Sequence, residues 1–126
     1  MQEQTNLKQI EIGTIDKQKL TPEKVKIVKV EIETVEKAKA NKVVCYVEHP
    51  KATDEIKISS VKIEQGKDKV KVVGMWVNLD KDNKLDKNSA TAVLLRFLGC
   101  KKIEDLVGKE CSTAEDDGGY LCFRGY

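Results

Sequence analysis

The side chains best equipped for covalent or metal chemistry are few. Four cysteines (Cys45, Cys100, Cys111 and Cys122) and a single histidine, His49, are the soft ligands and nucleophiles on offer. No two cysteines form C-x-x-C, so a zinc site would need ligands gathered from separate segments. Small buried core residues are the simpler role for them, and a Cys111–Cys122 disulfide is open to a hyperthermophile even inside the cell. A cysteine nucleophile would have only His49, next to Pro50, as its base. Ser59 and Ser60 carry no nucleophile-elbow motif, and no Walker A or dinucleotide fingerprint occurs. The run Asp80–Asp86 invites a calcium reading. However, Lys84 occupies a ligand position, Leu85 replaces the required glycine, and Thr91 stands where the bidentate glutamate belongs. It reads as a polar turn ahead of a helix. The chain is expected to be non-enzymatic, with neither metal nor cofactor.

A second chemistry, stacking and phosphate contact, has better material. Around Trp76, the only tryptophan, lie Lys67, Lys69 and Lys71. If Val70 and Val72 point inward and the strand then slips by one residue, those lysines and Trp76 share an exposed face. Cations that track phosphates beside an indole that stacks a base suit a single-strand binder. The competing reading is a solvated lysine face and a covered indole. Tyr46 lies opposite in parity to Val43, Cys45 and Val47, as a second stacking ring or as a tyrosine packed within. Near the C-terminus Tyr120, Cys122, Arg124 and Tyr126 share a face, and Arg124 could grip phosphate, stack on a base or hold a carboxylate.

These residues must be positioned by strands. From Glu23 to Val35 the apolar residues alternate with a change of phase at Ile27/Val28, as a β-bulge produces. Val43–Glu48 is a second strand, stopped by Pro50. Glu55–Glu64 is a third, broken in phase at Ser59/Ser60, and Lys69–Leu79 a fourth, broken at Val72/Val73 beside Gly74. A short strand is also expected over Leu7–Ile12. Asn88 or Ser89 caps a helix with apolar residues at Ala90, Val93, Leu94, Phe97 and Leu98, closed by Gly99. A further helical turn, Ile103–Val107, ends at Gly108. Strands near Lys109–Thr113 and Tyr120–Tyr126 flank the turn Glu115–Gly119 as a hairpin. Strands that each slip once coil, and a coiled sheet closes. The expected fold is mainly β with one amphipathic helix, a curved antiparallel sheet closing into an OB-like barrel.

Composition bounds the rest. At 126 residues the chain is expected to be one β-barrel-like domain, with residues 1–6 disordered and 7–22 an N-terminal extension. No apolar run could span a bilayer and the first residues are polar, which points to a cytoplasmic protein with no membrane partner. Charged residues make up 35%, nearly all Lys, Glu and Asp, over a Val/Ile core, the pattern of ion-pair-rich thermophile proteins. A net charge of only +2 argues against a dedicated duplex-DNA binder.

The stretch from about Lys69 to Tyr126 resembles the single-stranded-DNA-binding OB-fold proteins of phage and archaeal mobile elements. The likeness rests on Leu94-Leu95-Arg96-Phe97-Leu98-Gly99, on Ile103-Glu104-Asp105-Leu106-Val107-Gly108-Lys109, and on the terminal Gly125-Tyr126. It implies a replication or recombination accessory protein, although the scarcity of arginine departs from a usual nucleic-acid groove. The leading expectation is single-stranded nucleic-acid binding through Trp76, Lys67, Lys69, Lys71, Tyr46, Arg124 and Tyr120. The alternative is a protein-interaction module or a homo-oligomer that pairs through an exposed strand edge.

Overall fold

The computed structural model describes residues 9, 11, 12 and 20–126. The expected Leu7–Ile12 strand is not formed at its described positions, Gln9, Glu11 and Ile12, while its other residues, the disorder of 1–6 and most of the 7–22 extension lie outside the described residues. Eight strands and one helix follow in order. These are β1 (Val25–Val35), β2 (Ala40–Glu48), β3 (Ile56–Ile58), β4 (Ser60–Glu64), β5 (Val70–Gly74), α1 (Ala90–Phe97), β6 (Glu110–Cys111), β7 (Thr113–Glu115) and β8 (Leu121–Arg124). A 3₁₀ turn, Ile103–Leu106, lies between α1 and β6. No helix among the described residues is long and apolar enough to cross a membrane.

Two four-stranded sheets, ordered β3-β2-β1-β6 and β5-β4-β8-β7, are made continuous by two bent strands. The chain passes from β3 to β4 through Ser59 and from β6 to β7 through Ser112, changing sheet each time. With each bent pair counted as one strand, the pairing runs around a ring: β1 with β2, β2 with β3, β4 with β8, β8 with β7, and β6 with β1. This is a mainly β, OB-like barrel, with β5 added as a hairpin partner of β4. The sheet is antiparallel as expected except at its closure, where β4 and β8 run parallel.

The phase breaks have three different causes. The β1/β2 register shifts between Ile27 and Lys29, so Val28 is the extra residue of a bulge. The break at Ser59/Ser60 is the sheet change itself. The break at Val72/Val73 is no bulge, because β5 pairs with β4 without interruption from Gly74 opposite Ser60 to Val70 opposite Glu64. Both valines are half-buried, one on each face of the sheet.

Inside the ring Ile27, Val43, Cys45, Val47, Ile58, Val61, Met75 and Phe123 are fully buried. Leu94, Leu95 and Ala90 of α1 complete that cluster from one end, over β4 and β5. The helix begins at Ser89, whose hydroxyl accepts from the Ala92 N–H at 3.2 Å, and ends before Gly99, which takes the left-handed φ of 73°. The Asp80–Asp86 run is a turn, with the Asp80 carboxylate accepting from the N–H groups of Asp82 and Lys84.

Candidate nucleic-acid interface

The outward face of the barrel is built from the residues of β2 that do not enter the core. Val43, Cys45 and Val47 point inward, so Lys42, Val44 and Tyr46 lie on the other face, where Val44 is nevertheless buried and Lys42 and Tyr46 are half-buried. Tyr46 stands directly opposite Lys29 of β1 and Lys57 of β3, and the Lys29 ammonium lies 5.2 Å from the centre of its ring. About 13 Å further along β2, four residues at the strand rise, Lys42 forms an isolated bridge with Trp76. The Lys42 ammonium lies 5.1 Å from the indole centre. On the second sheet Lys62 pairs with Val72 and with Arg124, and the Arg124 guanidinium lies 4.6 Å from the ring of Tyr126. Three half-buried rings, each under a cation, therefore lie on one wall, the outward side of the ladder that runs β3, β2, Trp76, β5, β4 and β8, a side on which Val44 and Cys122 are buried.

Trp76 is held from behind. Its backbone sits in the sheet between hydrogen bonds from Val43 N–H to Met75 and from Val77 N–H to Asn41. Its carbonyl accepts from the fully buried Thr91 hydroxyl of α1 at 2.8 Å. The indole lies over Gly74, where an added Cβ would come within 2.7 Å of Nε1 and 3.2 Å of the Lys42 side chain. Glycine is required there for space, because the ring and the backbone occupy the same layer. Trp76 is half-buried.

Two carboxylates temper the wall. Glu31 lies 2.9 Å from Lys29, and Glu33 lies 3.1 Å from Lys57. Lys29 beside it holds the Glu31 carboxyl below its ordinary range, and Glu31 in turn raises Lys29. Glu33 likewise raises Lys57. These pairs are exposed and individually weak, so a phosphate can replace the carboxylate as the lysine's partner.

The expected site is gathered only in part. Tyr46, Trp76 and Arg124 lie on the wall. Lys67, Lys69 and Lys71 do not share a face with Trp76. Val70, Val72, Gly74 and Trp76 have one parity, and Lys71 lies opposite Ile63 on the other face, in a small cleft with Asn78, Asn88 and Val93 of the helix side. Lys67 belongs to the β4–β5 turn, where Gly66 and Asp68 take positive φ, and Lys69 closes that turn by accepting from the Gln65 N–H. Tyr120 is exposed at the β7–β8 turn, which the Asp116 carboxylate organises by accepting from the N–H groups of Gly118 and Tyr120. Sequence reasoning missed Lys29, Lys42, Lys57 and Lys62 as wall residues. The shared parity of Lys42 and Tyr46 in β2 was the one available signal.

The groups suited to covalent chemistry are buried within the fold. All four cysteines are free and buried. Burial pushes the Cys45 thiol up to about 12 and the Cys111 thiol up to about 11, and it raises Cys100 and Cys122 as well. The Cys111–Cys122 disulfide does not form. Cys111 belongs to the core, whereas Cys122 lies opposite Ala114 on the outer face of its strand. The buried His49 accepts the Lys51 N–H on Nδ1 at 3.0 Å, so Nε2 carries the proton and donates to the Thr21 carbonyl at 2.8 Å. Among the described residues no three His, Cys, Asp or Glu side chains form a metal-holding group. No protein family, curated protein or solved structure matches the chain.

Proposed function

We propose that this barrel binds single-stranded nucleic acid without catalysis, as an accessory of replication or recombination. The observation that carries the reading is the wall on which Tyr46, Trp76 and Tyr126 each face outward beneath a cation. A base can stack on each ring while the neighbouring ammonium or guanidinium meets the adjacent phosphate. Five cations (Lys29, Lys42, Lys57, Lys62 and Arg124) stand on this wall with Glu31 and Glu33, and Glu48 and Glu64 share the outward parity of β2 and β4, so its local positive balance is slight. Its centre is β2 with β3, the face on which OB barrels engage oligonucleotides. The spacing of rings along strands gives no donor–acceptor pattern for particular bases, so the binding is largely indifferent to sequence.

The sole tryptophan reports directly. Titration with oligothymidylate at low salt is expected to quench Trp76 fluorescence, with affinity falling linearly on a log–log plot against salt. Unchanged fluorescence together with no mobility shift at low salt would overturn the reading.

A further inference from the structure

Behind the wall the other face of β1 borders a second surface. Val30 and Ile32 lie opposite Cys45 and Val43, on the core side of β1, where Val30 packs against the margin of the core and Ile32 stands beyond it. They open with Val77, Leu79, Leu95 and Val107 into a groove of about 1050 Å³. Ile32, Leu79 and Val107 remain 51%, 54% and 51% exposed, an unusual density of uncovered aliphatic surface on one small barrel. The rim carries Lys84, Lys87, Arg96, Lys101 and Lys102, with Glu104 as the one carboxylate among the lining residues, 3.4 Å from Lys102.

A third feature adjoins the first two. The outer edge of β1 pairs with β6 only at Val25 and Lys26, and Ile27 exchanges hydrogen bonds with Gly108 and Lys109. Beyond Ile27, no strand lies along that edge among the described residues. An open strand edge beside an apolar floor is a receiving site for an extended segment, which gains backbone hydrogen bonds from the edge and side-chain burial from the floor.

The rim decides the occupant. Two copies of the chain joined edge to edge through β1 would bring two basic rims together, which opposes a symmetric dimer. The geometry points to an acidic peptide segment of a partner protein, with apolar anchors two residues apart that fill the groove and flanking carboxylates that meet the rim. This site lies on the face of β1 opposite Lys29 and Glu31 and is separate from the nucleic-acid wall.

The test uses the full chain and a fluorescein-labelled peptide in which leucine and phenylalanine, separated by one residue, are flanked on each side by three acidic residues. Fluorescence anisotropy is expected to show saturable binding, and hydrogen exchange to show new protection in β1 beyond Ile27. Lys101→Glu combined with Lys102→Glu should weaken binding by about tenfold or more, through charge reversal at the rim. Ile32→Asp should abolish it, and the same peptide with its acids amidated should not bind. Absence of binding, or binding indifferent to the charge reversal, overturns the proposal. Displacement by oligothymidylate overturns it too, since the groove would then belong to the nucleic-acid surface. So does tighter peptide binding after Leu7→Ser, Ile10→Ser and Ile12→Ser together, which would assign the groove to the chain's own N-terminal segment.

Discussion

Beyond its bulge, β1 shows one face to each of two unlike surfaces. On the wall side Lys29 pairs with Glu31 and Lys57 with Glu33 beside Tyr46, Lys42 and Arg124 lie over rings, and Lys62 donates to the Glu115 carbonyl. On the groove side Val30 and Ile32 form an apolar floor, and the cations stand back at the rim with a single acid among them. The difference is one of what each surface lacks. The wall carries rings and exposed ion pairs, whereas the groove carries apolar area beside a β1 edge that has no neighbouring strand among the described residues. One residue, Val28, sets which side chains face which surface, because a bulge inverts the parity of everything after it.

Ile27→Ala, beside the bulge, should do the most damage. The residue is fully buried, so the loss should be about 2–5 kcal/mol in chemical denaturation, with both surfaces weakened together. Deleting Val28 should cost far less, because Ile27 opposite Val47 and Lys29 opposite Tyr46 then follow one another in an uninterrupted ladder and both faces keep their side chains. A Val28 deletion as destabilising as Ile27→Ala would show that the bend itself, rather than the parity, is required.

Trp76→Ala separates the surfaces. Oligothymidylate affinity should fall by roughly 5- to 150-fold, the worth of one stacked base, while the acidic peptide should bind as before. Equal losses in both titrations would mean that the two surfaces are one.

Glu31→Gln with Glu33→Gln should act in the opposite direction and more gently. Freed of their carboxylates, Lys29 and Lys57 become available to phosphate. Oligonucleotide binding should tighten by a few-fold, with the log–log salt slope steeper by about 0.7 for each added phosphate contact. An unchanged slope would show that neither lysine touches the backbone.

The smallest effect concerns pH and the groove alone. Asp105 accepts the N–H groups of Lys102 at 3.0 Å and Lys101 at 3.2 Å, and those bonds hold its carboxyl below the usual aspartate range. A depressed folded pKa means that the stabilisation is present above the ordinary carboxylate pKa of about 3.9 and is lost as pH falls through the lower, folded value. Acidification across that window should loosen residues 101–105, with Trp76 fluorescence unmoved. Asp105→Asn should remove the pH dependence from hydrogen exchange in that turn, and a variant that titrates like the parent would assign the effect elsewhere.

Much of this fold could be read from strand parity. The alternation of Val43, Cys45 and Val47 placed Tyr46 outward, the adjacency of Ile27 and Val28 announced a bulge, and Ser89 and Gly99 bounded the helix. Parity failed where two causes leave the same mark. A bulge, a change of sheet and a strand covered on both faces all put two apolar residues side by side. Ser59 and the Val72/Val73 step were therefore indistinguishable from a slip, and Lys67, Lys69 and Lys71 were assigned to the wrong side of Trp76. The cation–ring pairs were illegible for a different reason. Each joins side chains by register or by a turn of the chain, and register between strands is not written in the pattern of either strand. The groove lay deeper still, because it is a place where burial stops.

The parallel seam between β4 and β8 also constrains how the molecule comes into being. Val61 meets Phe123 and Lys62 meets Arg124 only after the helix and the last hairpin are available. Val25 must likewise wait for Cys111. The local hairpins β1–β2 and β4–β5 can form early, but they bury little until these distant partners arrive. Closure is the late and slow event, as expected where contacts join remote parts of a chain. During synthesis on a ribosome, the inner faces of the early hairpins stay uncovered until β8 has emerged.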